Sequence, residues 1–248
     1  IQIRIGGKKV RLGAIAKGAG MINPNMATML CFVTTDAKIS KAELQSATRE
    51  AVERSFNRIT VDGDMSTNDT VMVMSSQRAN NRTITQRGPG SRIFREALSE
   101  LLVSMAKKCV ADGERVTKLV EVAVQGAASD IDAEKVARAV ANSSLVKCSW
   151  NGNDPNWGRV IHAVGYSGAR IKPEMIDIYF DGLCAAKHGE VADTPVMELR
   201  RTVKKKSFRI LIDLQVGNGS YHIYTSDLSP EYVEFNREEY AAFRLKRS

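Results

Sequence analysis

An α+β fold of helices and mixed sheets is predicted by three features of the sequence. Two long stretches, residues 91–111 and 132–143, carry apolar side chains at helical spacing. Shorter runs are β-branched or alternate, as in CFVTT (residues 31–35) and KLVEVAVQ (residues 118–125). The two kinds of segment mix without a regular βαβ rhythm, which favours α+β layers over a doubly wound parallel sheet. No Gly-x-Gly-x-x-Gly fingerprint opens a helix and no Walker loop is present.

The elements follow in order. Residues 1–17 alternate apolar and polar on both sides of Gly6-Gly7 and read as a hairpin. CFVTT is a strand leaving a Gly- and Pro-containing turn. Ser40 with Glu43 three residues later is a capping box, and the helix it opens should run to about Asn57. Residues 58–62 are short and extended, residues 63–70 a polar loop, and residues 71–75 a strand or the start of a buried helix. A polar excursion fills residues 80–89. The helix over residues 91–111 keeps Phe94, Leu98, Leu101, Leu102 and Met105 on one stripe. Residues 118–125 form a strand and 132–143 a helix capped by Asp132. A loop over 150–159 precedes the apolar segment 160–164. Strands at 176–180 and 208–214 flank a helix near 195–204, and residues 219–225 should pair with 208–214 as a hairpin. No internal repeat is visible.

The chain has 248 residues, 43% of them hydrophobic and 6% aromatic, enough for one large aliphatic core or two smaller ones. Cys31, Cys109, Cys148 and Cys184 form no CxxC pair, which fits a reducing compartment and argues against a disulfide scaffold or a zinc site. His162, His188 and His222 are scattered, so no metal-ligand cluster is expected. No apolar run approaches the ~20 residues of a membrane span, and no secretory or transit segment is visible. The sequence starts at Ile1 in a strand, so it reads as the continuation of something upstream. The net charge of +8 is compatible with nucleic acid, an anionic surface or acidic small molecules. It is diffuse except for Arg200, Arg201, Lys204, Lys205, Lys206 and Arg209. That run reads as a solvated helix end with no interleaved aromatics to stack bases, so neither a nucleic-acid nor a membrane partner is expected.

Four constellations could carry chemistry. In KGAGMINPNMATML (residues 17–30) a threonine, Thr28, follows the small residue Ala27 in an approach containing Gly18, Gly20, Asn23, Pro24 and Asn25. A hydroxyl there can reach the preceding carbonyl if the peptide is held strained and donors stabilise the oxyanion. A threonine freed as an N-terminus then carries nucleophile and base on one residue. The alternative is an ordinary turn with Thr28 starting a strand. VDGDMSTNDT (residues 61–70) groups Asp62, Asp64 and Asp69 with three hydroxyls and could bind a metal, cap a helix or line a pocket. It has neither a Gly nor a terminal Glu at the loop positions a calcium site requires, and a self-bonded loop is the plainer reading. GNDPNWGR (residues 152–159) is a rigid turn whose Arg159 can pair with an acid, or a packing corner anchored by Trp157. Glu114 follows the long helix as a solvated cap or, if buried, a partner for an amine.

These segments together resemble the ornithine acetyltransferase family, the bifunctional glutamate N-acetyltransferases of arginine biosynthesis. The resemblance rests on residues 17–30, on FNRITVDGDMSTNDT (56–70), on Asp112, Gly113, Glu114, Thr117 and Lys118, on SLVKCSWNGNDPNWGRVIHAVGYSG (144–168), and on DLSPEYVEFN (227–236). It implies a layered αββα-like sandwich and self-cleavage between Ala27 and Thr28. Residues 1–27 would end a first subunit and residues 28–248 form the second, in an α/β hetero-oligomer located in the cytoplasm or an organelle matrix. The Thr28 hydroxyl would take acetyl from N-acetylornithine, or in some relatives acetyl-CoA, and pass it to glutamate in a ping-pong cycle. No metal or bound cofactor is implied. Substrate contacts carry over to Lys17, Thr28, Glu114 and Asn236. The family's Thr-Gly oxyanion pair belongs to an upstream segment outside these residues. Two departures stand out. Arg115 occupies a position where Gly is usual, and the closing segment reads Asn236, Arg237, Glu238, Glu239, Tyr240, Ala241 with no hydroxyls near Asn236 except the phenol. A self-processed aminopeptidase or amidase, and a processing-deficient relative serving as a binding subunit, are the alternatives.

Overall fold

The computed structural model describes residues 1–21, 29–64 and 68–245. They form two compact units, Ile1–Ile59 with Gly63–Cys109, and Thr60–Asp62 with Val110–Ser248. Each unit is a mixed sheet packed with helices, the α+β mixture the periodicities predict.

In the first unit, β1 (Gln2–Ile5) and β2 (Lys8–Lys17) are the expected hairpin, paired antiparallel from Gln2↔Arg11 to Ile5↔Lys8. Gly6 and Gly7 both hold positive φ, 56° and 78°, as the right-twisting two-residue turn requires. β2 pairs antiparallel with β3 (Leu30–Thr35), from Leu12↔Thr35 to Lys17↔Leu30. A helix, α1 (Lys41–Glu53), and β4 (Thr70–Ser75) follow, with β4 parallel to β3. Alternation decides the faces. Val10, Leu12, Cys31 and Val33 are buried, while Ile15, Phe32, Met72 and Met74 are exposed. α2 (Ser91–Ala111) buries Phe94, Leu98, Leu102 and Ala106 at helical spacing.

The expected capping box at α1 is only half formed. Ser40 Oγ accepts the Glu43 N–H at 3.3 Å, but the Ser40 N–H goes to the Ile84 carbonyl. Glu43 instead turns inward, fully buried, and pairs with Arg95 of α2 at 2.7 Å. α1 also stops at Glu53, short of Asn57, and a 3-10 turn at Phe56–Arg58 buries Phe56.

The second unit runs β5 (Leu119–Ala127), α3 (Asp130–Ala141), α4 (Ser144–Asn151), α5 (Trp157–Gly165), β6 (Asp177–Phe180), β7 (Leu183–Lys187), β8 (Glu190–Val191), α6 (Val196–Val203), β9 (Ser207–Asp213), β10 (Gly219–Ser226) and α7 (Pro230–Leu245). The sheet order is β10-β5-β9-β6-β7-β8. Val122, Val124, Ile178, Ile210 and Ile212 share one core with Val136 and Val140 of α3, Trp150 of α4, Val160 of α5 and Leu199 of α6.

Three expectations are corrected here. β10 pairs with β5, not with β9, because both edges of β9 are already taken, by parallel β5 and antiparallel β6. The chain reaches the far edge of β5 past the Ser129 backbone, where a Cβ on Gly219 would stand 2.2 Å from the Ser129 carbonyl carbon. The cap of α3 is Ser129, whose hydroxyl accepts the Asp132 N–H at 3.1 Å. The expected loop over 150–159 is the end of α4, a short turn and the start of α5. Trp150, not Trp157, is the fully buried anchor.

Candidate active site

Ala27 and Thr28, with Asn23, Pro24 and Asn25, lie outside the described residues. What brackets them is described. Lys17 closes β2, exposed and opposite Leu30. Met29, one bond past Thr28, is wholly buried. Its N–H donates to Asp69 Oδ1 at 2.6 Å and its carbonyl accepts the Thr70 N–H at 2.9 Å. Both ends of Met29 are thus tied to the start of β4. This is the role the structure gives the loop over residues 61–70: its Asp69 holds the backbone beside Thr28. Burial pushes the Asp69 carboxyl up from its ordinary value, against the Met29 N–H, which pulls it down. Its second oxygen, Oδ2, is buried and has no hydrogen-bond partner among the described residues. A cleft of about 390 Å³ opens beside it, lined among others by Arg49, Glu53 and Phe56. Among the described residues no group of three or more His, Cys, Asp or Glu could hold a metal.

Glu114 and Asn236, 122 positions apart, meet in the second unit. Asn236 Nδ2 donates to Glu114 Oε2 at 3.1 Å and to the Tyr232 carbonyl at 3.0 Å. Two segments, residues 113–118 and 227–236, are laced together to make that meeting. Asp227, 3% exposed, accepts the N–H groups of Thr117 and Lys118 at 2.9 Å each, the Thr117 hydroxyl, and Asn151 Nδ2 at 2.8 Å. Four donors on one carboxylate fill its acceptor capacity. Ser229 uses its one hydroxyl twice. It accepts the Tyr232 N–H at 3.2 Å as the cap of α7, with Pro230 in the first turn, and donates to the Arg115 carbonyl at 2.9 Å.

Arg115 holds a positive φ, 55°, a left-handed conformation that glycine adopts freely and that costs an L-residue roughly 1–2 kcal/mol. The side chain offsets part of that strain. Its guanidinium lies over the Phe235 ring, 5.0 Å from the centroid, a cation–π contact of about 0.5–1 kcal/mol at an exposed site.

Two buried lysines flank the lacing. Lys118 Nζ donates to Asn153 Oδ1 at 2.6 Å and to the Val203 carbonyl at 2.5 Å, and burial lowers its pKa while Asp227 raises it. Lys147 Nζ donates to the Ser226 carbonyl at 2.5 Å and to Thr225 Oγ1 and Ser226 Oγ. Burial lowers its pKa to about 7, opposed by Asp227 and Asp62. In the GNDPNWGR stretch, Asn156 caps α5 through the Arg159 N–H at 3.0 Å. Among the described residues Arg159 pairs with no acid, and it donates to the Leu145 carbonyl at 2.7 Å.

The resemblance singles out Glu114 and Asn236 but not Asp227, Asn151 and Lys147, which hold the segments around them, nor Asp69, which holds Met29. An acid two residues before Ser229-Pro230 reads as loop polarity, and nothing local shows that its partners lie about a hundred residues upstream. Asp69 was visible as one of three acids, without a signal to single it out.

The chain matches the ArgJ family over residues 1–241. The arginine biosynthesis bifunctional protein ArgJ of Geobacter sulfurreducens is 48% identical over 235 residues, covering 94% of this chain and 60% of its own length. The protein of the same name in Bacillus subtilis is 42% identical over 235 residues, 95% of this chain and 58% of its own. The chain therefore spans about 60% of the length of the curated relatives it matches. The crystal structure of ArgJ from Bacillus halodurans superposes with a TM-score of 0.80 at 41% identity, over 84% of this chain and 98% of that one.

Proposed function

This chain belongs to the ArgJ family, and from that premise we propose that it forms the acyl-transferring part of a cytoplasmic enzyme of arginine biosynthesis. The enzyme moves acetyl from N-acetylornithine to glutamate, with acetyl-CoA as a second donor, in keeping with relatives named bifunctional. Thr28 is the nucleophile. Its hydroxyl attacks the Ala27 carbonyl, the Ala27–Thr28 C–N bond breaks, the nitrogen takes a proton, and water hydrolyses the resulting ester. The freed amine then removes the proton from Thr28 Oγ as that oxygen attacks the acetyl carbonyl. Ornithine leaves with the proton, and glutamate's amine takes the acetyl group in the reverse sense.

The observation that carries this reading is the hydrogen bond between Glu114 and Asn236. Two residues implied as substrate contacts by separate motifs converge on one spot, where Glu114 would take an amine. Lys17, exposed at the end of β2, would pair a substrate carboxylate. The β2–β3 ladder from Leu12↔Thr35 to Lys17↔Leu30 joins the two sides of the break, so residues 1–27 and 28–248 would stay associated as two subunits. That the solved Bacillus halodurans chain is shorter than this one, while the curated relatives are longer, fits relatives that exist as separate polypeptides. Among the described residues no helix is long and apolar enough to cross a membrane.

Intact-mass measurement and N-terminal sequencing of the full-length natural protein test the reading. The expected second polypeptide begins at Thr28, and Thr28→Ala leaves the chain whole and inactive. An uncut chain with full transferase activity contradicts it.

A further inference from the structure

A buried ammonium has three protons to place, and at Lys147, 4% exposed, each has a destination within the second unit. Nζ donates to the Ser226 carbonyl at 2.5 Å, to Thr225 Oγ1 at 3.1 Å and to Ser226 Oγ at 3.2 Å. Both hydroxyls turn their own protons elsewhere, Thr225 to the Ala141 carbonyl at 3.1 Å and Ser226 toward the Val61 carbonyl at 3.5 Å. They therefore meet Nζ as acceptors. A neutral amine, with two protons, would leave one of the three acceptors unmatched. These contacts bracket Asp227. Nζ holds the carbonyl before it, and the Lys147 carbonyl accepts the Leu228 N–H after it at 3.4 Å. Asn151, one turn along the same face of α4, donates to the Asp227 carboxylate itself at 2.8 Å. Asp227 in turn holds Thr117 and Lys118, three and four residues past Glu114. It also stands two residues before Ser229, the cap of the helix that carries Asn236.

We propose that Lys147 is a positioning residue for substrate binding: its ammonium form, by fixing Asp227, holds Glu114 and Asn236 in the arrangement that takes a substrate amine. This rests on the reading of Glu114 and Asn236 as substrate contacts. Binding of the amine is then coupled to a proton, because the occupied site prefers the protonated lysine. That proton comes from solvent and goes to Lys147 Nζ, and no covalent bond of the substrate changes. Acting on Nζ are Asp227 at the end of β10, Asp62 from the segment 60–62 and Cys148 beside it on α4, all of which favour the ammonium. Lys118, the other buried lysine, is drawn to the same Asp227. Burial opposes the charge on Lys147, so both of its forms are populated near neutral pH.

The test titrates ornithine, which carries no acetyl group to transfer, into the full-length natural protein and into Lys147→Met. Calorimetry in buffers of different ionisation enthalpy reads both Kd and the protons exchanged. A preference of about tenfold for the protonated protein raises the lysine's pKa by about one unit on binding. Starting from about 7, the wild-type Kd should then weaken about fivefold from pH 6 to pH 8, with uptake of about half a proton at pH 7.5. The Thr28 amine contributes alike to both proteins, so Lys147→Met should lose that slope and that uptake. Equal slopes and equal uptake in the two proteins overturn the proposal. A second measurement needs only the wild type: NMR titration of 15N-lysine-labelled enzyme. The Lys147 amine should titrate about one unit higher with saturating ornithine, and an unchanged or lower value overturns the proposal. No ornithine binding to the wild type at pH 6 refutes the reading of Glu114 and Asn236 first. Binding at pH 6 without proton uptake at pH 7.5 refutes only the role of Lys147.

Discussion

Asp69 and Asp227 are both carboxylates that grip backbone N–H groups of a chemically marked segment, one in each compact unit. Asp227 is saturated: two backbone amides, a hydroxyl and a side-chain amide converge on it. Asp69 holds one amide, and its other oxygen has no hydrogen-bond partner among the described residues. The second unit thus builds a finished frame, on which Glu114 and Asn236 are held ready. A completed network of this kind rigidifies the segments it joins.

The comparison is broken most sharply by removing the saturated member. Asp227→Ala strands four donors and takes the carboxylate away from two buried lysines. Chemical denaturation should show a loss of about 3 kcal/mol, with KM raised as the Glu114 loop loosens. A change below about 0.5 kcal/mol, the size expected of an ordinary surface substitution, would mean that the lacing does not hold the frame.

A smaller effect, and one set by pH, belongs to Lys147. Its folded pKa is about 7, well below the ~10.4 of an unfolded lysine. Between those values the unfolded chain binds the extra proton, so stability rises with pH at up to about 1.4 kcal/mol per pH unit. Below pH 7 the full penalty of the buried ammonium is present. Lys147→Met should flatten the slope of unfolding free energy between pH 7 and 10, measured by urea titration at several pH values. An unchanged slope would assign it to other groups.

The smallest effect sharpens the frame's one strained point. Arg115→Ala keeps the positive φ and loses the Phe235 contact, costing about 1 kcal/mol. Arg115→Gly also relieves the strain and should stay within about 0.5 kcal/mol of wild type. Thermal melts of the two proteins separate the terms; equal losses would show that the φ of 55° carries no strain.

Much of this was legible in the sequence, and the limits are physical. The β1–β2 hairpin and α2 are fixed by local periodicity and turn glycines, and both form as expected. The pairing of β10 with β5 is not local: it follows from β9 having no free edge, which no residue near β10 records. Helices α4 and α5 were hidden because Asn, Asp, Pro and Gly between them look like one loop, although Ser143 and Asn156 are serving as caps. Glu43 has capping-box spacing, yet the half-buried Arg95 captures its carboxylate first. The site divides the same way. Lys17, Glu114 and Asn236 came from motif resemblance, whereas Asp69 and Asp227 act through partners 40 and 110 positions away.

Thr28 is proposed to ferry acetyl on its own side-chain oxygen beside its own free amine. The most direct measurement is to trap the full-length enzyme with carbon-labelled N-acetylornithine in the absence of glutamate, then map the labelled acetyl by peptide mass spectrometry. The expected product is one acetyl ester on Thr28 Oγ, discharged when glutamate is added. Label on another residue, on the Thr28 nitrogen alone, or on none while turnover proceeds would contradict it.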